Sequence, residues 1–353
     1  TIEMLKSAFG SDFGIPGVPG FMESAQFRVM CNAPSGQYFN FADCSDRRPL
    51  SGDVILAWFA AQTGNSAYYE TKRFLQPPES TGKLHRLSSA ALAWMSQYKE
   101  RETAPMPEAW MADGSNPLVV FTGGEADSHG YYLGCKGGKA SLHHGNMDAG
   151  SFVFELIGVR WVIDTGNQNY NALEKIGFKL WGRKQASERW TLLTKNNFGH
   201  STLTVNGEPF IVDGFVPIID FQDDDQPTAS FDLTALYGTN VQHAVRRFTK
   251  ESPTSLIIED QIKISEATEQ ITWQLMTVAE VDIVEGGAVL RQDGKTLQLE
   301  NLSHPEVDVT VVPLDPPPLE LDRTIKDLKR LEINIPAGAA FEGNIVIEIR
   351  LSE

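Results

Sequence analysis

Cysteine is scarce in this chain: Cys31, Cys44 and Cys135 are all there are in 353 residues. An odd, scattered count without a C-x-x-C spacing supplies neither a disulfide framework nor a thiolate metal site. A Cys31–Cys44 pair in an oxidising compartment stays open beside the blander expectation of buried thiols. Positive charge is short too, with 30 Lys and Arg against 46 Asp and Glu and a formal net charge of −16. That balance excludes general nucleic-acid binding, which needs cations to neutralise phosphates. An anionic ligand would need a local basic patch in an acidic protein. No apolar run approaches the roughly 18 to 20 residues of a membrane span, and no internal repeat is evident. Asp223-Asp224-Asp225 lacks the glycine and distal glutamate of an EF-type loop and reads as a solvated turn. The N-terminal TIEMLKSAFGSDFGIPG has no basic n-region, apolar h-region or start Met. It reads as a helix already under way, with Ile2, Leu5 and Phe9 on one face. A processed or truncated piece is therefore expected, and the compartment and oligomeric state stay open.

What is present changes character along the chain. Hydrophobic residues make up 41% and aromatics 10%, enough for a sizeable core. The first third is helical in pattern. Pro19 stands where it can open a helix through FMESAQFRVM. GDVILAWFAAQTGN carries an apolar periodic run, including Trp58, closed by Gly64, and SAYYETKRFLQ and SSAALAWMSQY continue it. The charged, proline-containing KERETAPMPEAWMADGSN marks a boundary, giving a helical segment 1–112 and a second domain 113–353. Beyond it LVVFTG, FVFELI, VRWVID, STLTVNG, PFIVDGF, SLIIEDQIKI, EQITWQLMT and NIVIEIRL are short, β-branched or alternating, with Gly, Asn or Asp between them. Many strands with almost no helix predict antiparallel sheets in a large sandwich. Only NALEKIGFKLWGRKQASERW offers a helix there. The fold class is thus a multidomain α+β chain: an all-α segment followed by a large antiparallel β-sandwich.

Chemistry concentrates in HHGNMDAGSF, where His143, His144, Asn146 and Asp148 precede an apolar strand. Asp164 closes the next strand, VRWVID, which pairs with FVFELI across a turn at Gly158. His200 stands before STLTVNG. Zinc takes His and Asp ligands of this kind in tetrahedral geometry. A polar turn with satisfied hydrogen bonds explains the same residues without a metal.

The ordered pieces FGSDFGIPGVPGFMESAQF, APSGQYFNFADC, FTGGEADSHGYYLGCKGG, HHGNMDAGSFVFELIGVRWVIDTGNQNY, Arg189-Trp190 and FGHSTLTVNG resemble the heparinase II/III-like polysaccharide lyases, and within them the heparinase II branch. The resemblance covers residues 9 to about 210. It implies an N-terminal α/α toroid followed by an antiparallel sandwich with a cleft between. Residues 1 to about 112 match only the last part of such a toroid, so the toroid's own catalytic Tyr and its partner would lie upstream of Thr1.

The activity so implied is β-elimination next to a uronic acid in an acidic polysaccharide. His144 matches the first His of the family's H-x-H pattern and is expected to be catalytic or to neutralise the sugar carboxylate. Asp164 and His200 match two zinc ligands of the heparinase II branch. Asn146 replaces the third, a His, and an amide oxygen suits harder cations better than zinc. Tyr170 is expected to face the cleft as a second catalytic group. Arg183, Arg189 and Lys184 are candidates for binding the acidic sugar. Tyr38 and Asp43 are expected to line the toroid side. His143 and Asp148 are expected to hold the turn. Trp161 and Trp190 are expected in the core. The same resemblance implies export to a bacterial periplasm or beyond. Two rival readings stay open: a catalytically weak glycan-binding sandwich, with Asn146 marking a decayed site, and a hydrolase using paired carboxylates.

Overall fold

A computed structural model of the chain describes residues 1–46, 51–68, 86–124, 127–337 and 343–353, with 51–53 by backbone alone. Most of SAYYETKRFLQ falls outside the described residues. The chain divides into two compact units, Thr1–Asn32 with Arg47–Pro107, and Ala33–Asp46 with Glu108–Glu353.

Among the described residues the first unit holds four α-helices: α1 (Ile2–Phe9), α2 (Ser24–Met30), α3 (Ser51–Thr63) and α4 (Ser88–Met95). The patterns of sequence mark them correctly, although α2 begins five residues after Pro19. Gly64 adopts φ 74° just beyond α3. A Cβ there would lie 2.7 Å from the Lys99 carbonyl oxygen, so the left-handed turn and the close return of the chain both require glycine. Trp58 is buried in this unit with Leu56, Phe59 and Tyr68, and its indole N–H donates to Glu3 at 2.8 Å.

The second unit is built from 17 described strands. In chain order they are β1 (Ala109–Ala112), β2 (Leu118–Thr122), β3 (Tyr132–Lys136), β4 (Phe152–Leu156), β5 (Val159–Val162), β6 (Leu203–Val205), β7 (Ile218–Gln222), β8 (Thr228–Asp232), β9 (Val241–Ser252), β10 (Ser255–Ile264), β11 (Gln270–Thr277), β12 (Glu280–Val284), β13 (Gly287–Gln292), β14 (Lys295–Asn301), β15 (Val309–Pro313), β16 (Lys329–Pro336) and β17 (Asn344–Ser352). They form three antiparallel sheets. β1 to β5 make a meander, an eight-stranded sheet runs β12-β13-β14-β17-β10-β9-β8-β7, and a four-stranded sheet runs β15-β16-β11-β6. One apolar core draws on all three, with Trp161 from β5, Phe248 from β9 and Trp273 from β11. Burying a large apolar side chain is worth about 1.5–3 kcal/mol, and alternation along β10 and β17 delivers Leu256, Ile258, Ile347 and Ile349 to that core. A large antiparallel β-sandwich after a few helices is therefore the architecture.

β4 and β5 are joined through Ile157 and Gly158, both at positive φ (51° and 75°). A two-residue loop of this hand matches the strand twist. PFIVDGF, expected as a strand, is instead a turn: the Gly214 amide bonds the Ile211 carbonyl and the Val212 amide bonds the Gln185 side chain. Asp223–Asp225 lies in the β7–β8 connection, as a solvated turn should.

Residues 33–46 belong to the sandwich unit although the helical residues flank them in sequence. Hydrogen bonds stitch them there: Ser35 donates to Glu155, Asn40 donates to the Asp164 carbonyl, and the Ala42 amide donates to Asp148. Phe39 lies where a Cβ on Gly134 of β3 would stand, 2.8 Å from its ring. The cut at 112 expected from sequence leaves both this segment and β1 with the helices, whereas their contacts are with sheet residues.

Candidate functional site

The site is assembled from loops of the sandwich unit. The β3–β4 connection carries His144, Asn146 and Asp148. The segment after β5 carries Asp164 and leads to α5 (Tyr170–Lys175). The stretch before β6 carries Arg189, Lys195 and His200, and residues 33–46 add Asp43. α5 begins where Asn169 caps it, its side chain accepting from the Ala172 amide.

A cleft of about 970 Å³ opens among these loops, lined by Asp43, His144, Asn167–Tyr170, α5 and Glu320–Arg323. His144 is its prominent polar side chain, 61% exposed. Its backbone is at φ 60°, a left-handed conformation that costs a non-glycine residue on the order of 1–3 kcal/mol and gathers at functional sites. The imidazole stacks parallel to Tyr170 (centroids 6.2 Å apart, 7° between planes). Trp181 stands edge-on to both rings, is itself 57% exposed, and is held by its N–H on Glu174 at 2.8 Å.

Asp43 sits beneath. Its Oδ2 lies 3.1 Å from His144 Nδ1, and its Oδ1 accepts from Lys195. Arg189 stands 3.9 Å away. Lys195 is wholly buried, with its ammonium 5.5 Å over the Tyr170 ring. Burial pushes the pKa of this ammonium down, Asp43 pulls it back, and the net is below the usual lysine value.

Behind the cleft lies a second His–Asp pair. His200 Nδ1 is 2.8 Å from Asp164 Oδ2, and the His200 side chain is 0% exposed. Burial disfavours the charged ring, but Asp164 and Asp148 outweigh it, so the His200 pKa is raised. The Gly166 amide holds Asp164 Oδ1 at 2.7 Å. Asp148 is buried and bonded to Lys136 at 2.7 Å. Burial alone would push its carboxyl up, yet Lys136, His200 and the Ala42 amide bring it below the usual carboxylate range.

The residues singled out in sequence therefore scatter. His144 and Tyr170 share the cleft, but the Tyr170 hydroxyl is buried without a hydrogen-bond partner; its ring is what meets His144. Tyr38 is buried and its carbonyl takes Arg160, so it offers no face to a sugar. Arg189, expected to bind substrate, is buried too, and donates to the Gly145 and Leu180 carbonyls. Arg183 and Lys184 are exposed outside the cleft lining, with Arg183 reaching the Ser141 carbonyl at 3.5 Å. His143 is exposed and Asp148 fixes the turn through Lys136 and Ala42. Trp161 and Trp190 are buried. Of the cysteines, Cys31 and Cys135 are buried whereas Cys44 is exposed.

Lys195, Trp181 and Arg323 carry no signal in the sequence that marks them for this site. Among the described residues lining the cleft, Arg323 is the one guanidinium or ammonium group. It donates to the Thr165 carbonyl and Asn167 Oδ1. Nothing local marks it, because 158 and 156 residues separate it from Thr165 and Asn167.

For the zinc expected at Asn146, Asp164 and His200, Asp164 and His200 do meet, but the nitrogen and oxygen that face each other form a hydrogen bond. Among the described residues no group of three or more His, Cys, Asp or Glu is gathered for a metal ion. What remains for a ligand is His200 Nε2, buried without a partner, and the Asn146 Oδ1, which already accepts from Arg189 at 3.4 Å. One imidazole nitrogen and an amide do not fit the four-coordinate N, S and carboxylate set that zinc favours.

Residues 126–327 match the family model of the heparinase II/III-like C-terminal domain. No curated protein matches. Among solved structures, a heparan sulfate lyase from Pedobacter heparinus aligns over 97% of this chain and 47% of its own, at 12% identity and TM-score 0.67. A heparinase III aligns over 96% of this chain and 49% of its own, at 12% identity and TM-score 0.62. This chain spans about half the length of those structures, and at such identity the likeness is one of fold. Among the described residues no helix is long and apolar enough to cross a membrane. With the family model covering more than half of its length, the chain belongs to the heparinase II/III-like family, whose C-terminal domain forms most of its sandwich.

Proposed function

We propose that this chain carries the sandwich half of a polysaccharide lyase that cleaves a uronate-containing glycan by β-elimination. The observation that carries the reading is His144: exposed in a cleft, held at Nδ1 by a carboxylate, and backed by two aromatic rings. In this reading His144 Nε2 takes the C5 proton of the uronate. The electrons form the C4–C5 double bond, the C4–O bond to the neighbouring sugar breaks, and an acid protonates the departing oxygen. Proton transfer of this kind contributes about 10²–10⁴-fold, and histidine suits it because its ordinary pKa lies near neutrality. Arg323 is the cleft's cation for the sugar carboxylate, in place of Arg183 and Arg189. The exposed Trp181 offers an aromatic face to a sugar ring. The buried Tyr170 hydroxyl is not positioned to donate, so the acid in this reading is the toroid tyrosine of the family. A periplasmic or extracellular location goes with a polysaccharide substrate.

The test is ultraviolet absorbance of unsaturated uronide when the full-length gene product meets a panel of uronate polysaccharides. Product from at least one polymer, lost in His144→Ala, is the expected result. Binding without product on every polymer would favour the second reading, a glycan-binding sandwich. That reading draws on Asn146, which stands where relatives of the heparinase II branch have a histidine.

A further inference from the structure

We propose that Asp43 is the positioning residue of this site, a buried-side carboxylate that sets which nitrogen of His144 carries the proton. The inference rests on the reading of His144 as the proton acceptor and adds a residue from a segment flanked in sequence by helices.

A carboxylate can only accept hydrogen bonds. At 3.1 Å from Asp43 Oδ2, Nδ1 of His144 therefore carries the hydrogen, and the lone pair is left on Nε2. In a neutral imidazole the bond made by one nitrogen decides the role of the other. Without that acceptor both tautomers compete, and the ring is free to turn away from Tyr170. Asp43 is in turn fixed from below. Lys195, wholly buried, donates to Oδ1, and Arg189 approaches at 3.9 Å. Asp43 thus joins three segments distant in sequence: its own loop, the β3–β4 connection and the stretch before β6.

Lys195 makes the inference sharp. In Asp43→Asn the buried ammonium still demands an acceptor, so the new amide turns its Oδ1 toward Lys195. Its NH2 then points at His144 and donates to Nδ1, which forces the hydrogen onto Nε2. The substitution keeps shape and nearly keeps packing while reversing the tautomer, and a base with its lone pair turned inward cannot take the substrate proton. Removing Lys195 as well, in Asp43→Asn/Lys195→Met, frees the amide to rotate and lets the Nδ1–H form return.

The experiment is ¹⁵N NMR of the histidine side chains in the full-length protein at one fixed pH, with the His144 signal assigned by its absence in His144→Gln. Wild type is expected to show the Nδ1–H tautomer, Asp43→Asn the Nε2–H tautomer, and the double variant a shift back toward wild type. In activity, Asp43→Asn is expected to lower kcat by on the order of 10²–10⁴-fold with KM within about twofold. A wild-type His144 in the Nε2–H form, or ring shifts unchanged by Asp43→Asn, would overturn the proposal. The NMR readout needs no turnover. Reversed tautomers with no lyase product from any variant would sink the lyase reading and leave the role of Asp43 over His144 standing.

Discussion

Two His–Asp pairs lie in the same unit, built from the same two side-chain types with the same Nδ1-to-carboxylate contact, and their settings are opposite. His144 is 61% exposed on Asp43, while His200 is wholly buried on Asp164. A buried charged ring depends on its carboxylate, because an unpaired ion out of water is costly. A ring at a cleft mouth meets solvent, and the carboxylate behind it holds the ring's orientation. The difference teaches that an identical pair can stand open to a cleft at one place and be locked into the core at another, with burial deciding which.

The largest expected effect separates them by activity. His144→Ala should lower lyase turnover by about 10²–10⁴-fold with little change in thermal stability, measured by uronide absorbance and a melting curve on one preparation. A large drop in melting temperature would erase the contrast. His200→Ala should do the reverse at the level of folding, costing about 3–5 kcal/mol in denaturant unfolding because Asp164 is left buried with its partner gone. If that variant instead unfolds as wild type while losing stoichiometric zinc on elemental analysis, the contact between His200 and Asp164 is made through an ion.

A smaller effect lies in pH. The folded pKa of His200 is raised above an unfolded value of about 6.5. The folded state then holds its proton more tightly, so the contribution of the pair is fully present below about pH 6.5 and lost as pH rises through the folded value. The stability difference between wild type and His200→Gln should shrink across that window toward alkaline pH. The smallest effect belongs to backbone strain: His144→Gly, relieving a left-handed residue, should be within about 1 kcal/mol of wild type or more stable.

Much of the fold is legible in sequence for physical reasons. The alternation in SLIIEDQIKI and NIVIEIRL follows from the two-residue period of a strand over a buried face, and these segments became β10 and β17 with the expected residues inward. HHGNMDAGSF announces its loop because its glycines, its run of polar residues and the following apolar stretch are local signals. The site is legible only in part. His144 lay in that loop, but Arg189 looked like a free cation and Tyr38 like a cleft residue, since burial of a charged or aromatic tip depends on what packs over it. Asp43 was assigned to the helical side because 33–46 falls between helices; its hydrogen bonds to β-loop residues placed it with the sandwich.

The sequence by itself determined the succession of helices and strands, the family pattern, and which residues carry proton-handling chemistry, since each depends on neighbours a few positions away. Tertiary structure alone decided the rest. It put Asp43 under His144 across 101 residues and Lys195 under Asp43 across 152, and it brought Arg323 to the cleft. It also buried one histidine while leaving the other at the rim. Burial and opposing charge together set what an imidazole does, and both are properties of the packed chain that no short stretch of it contains.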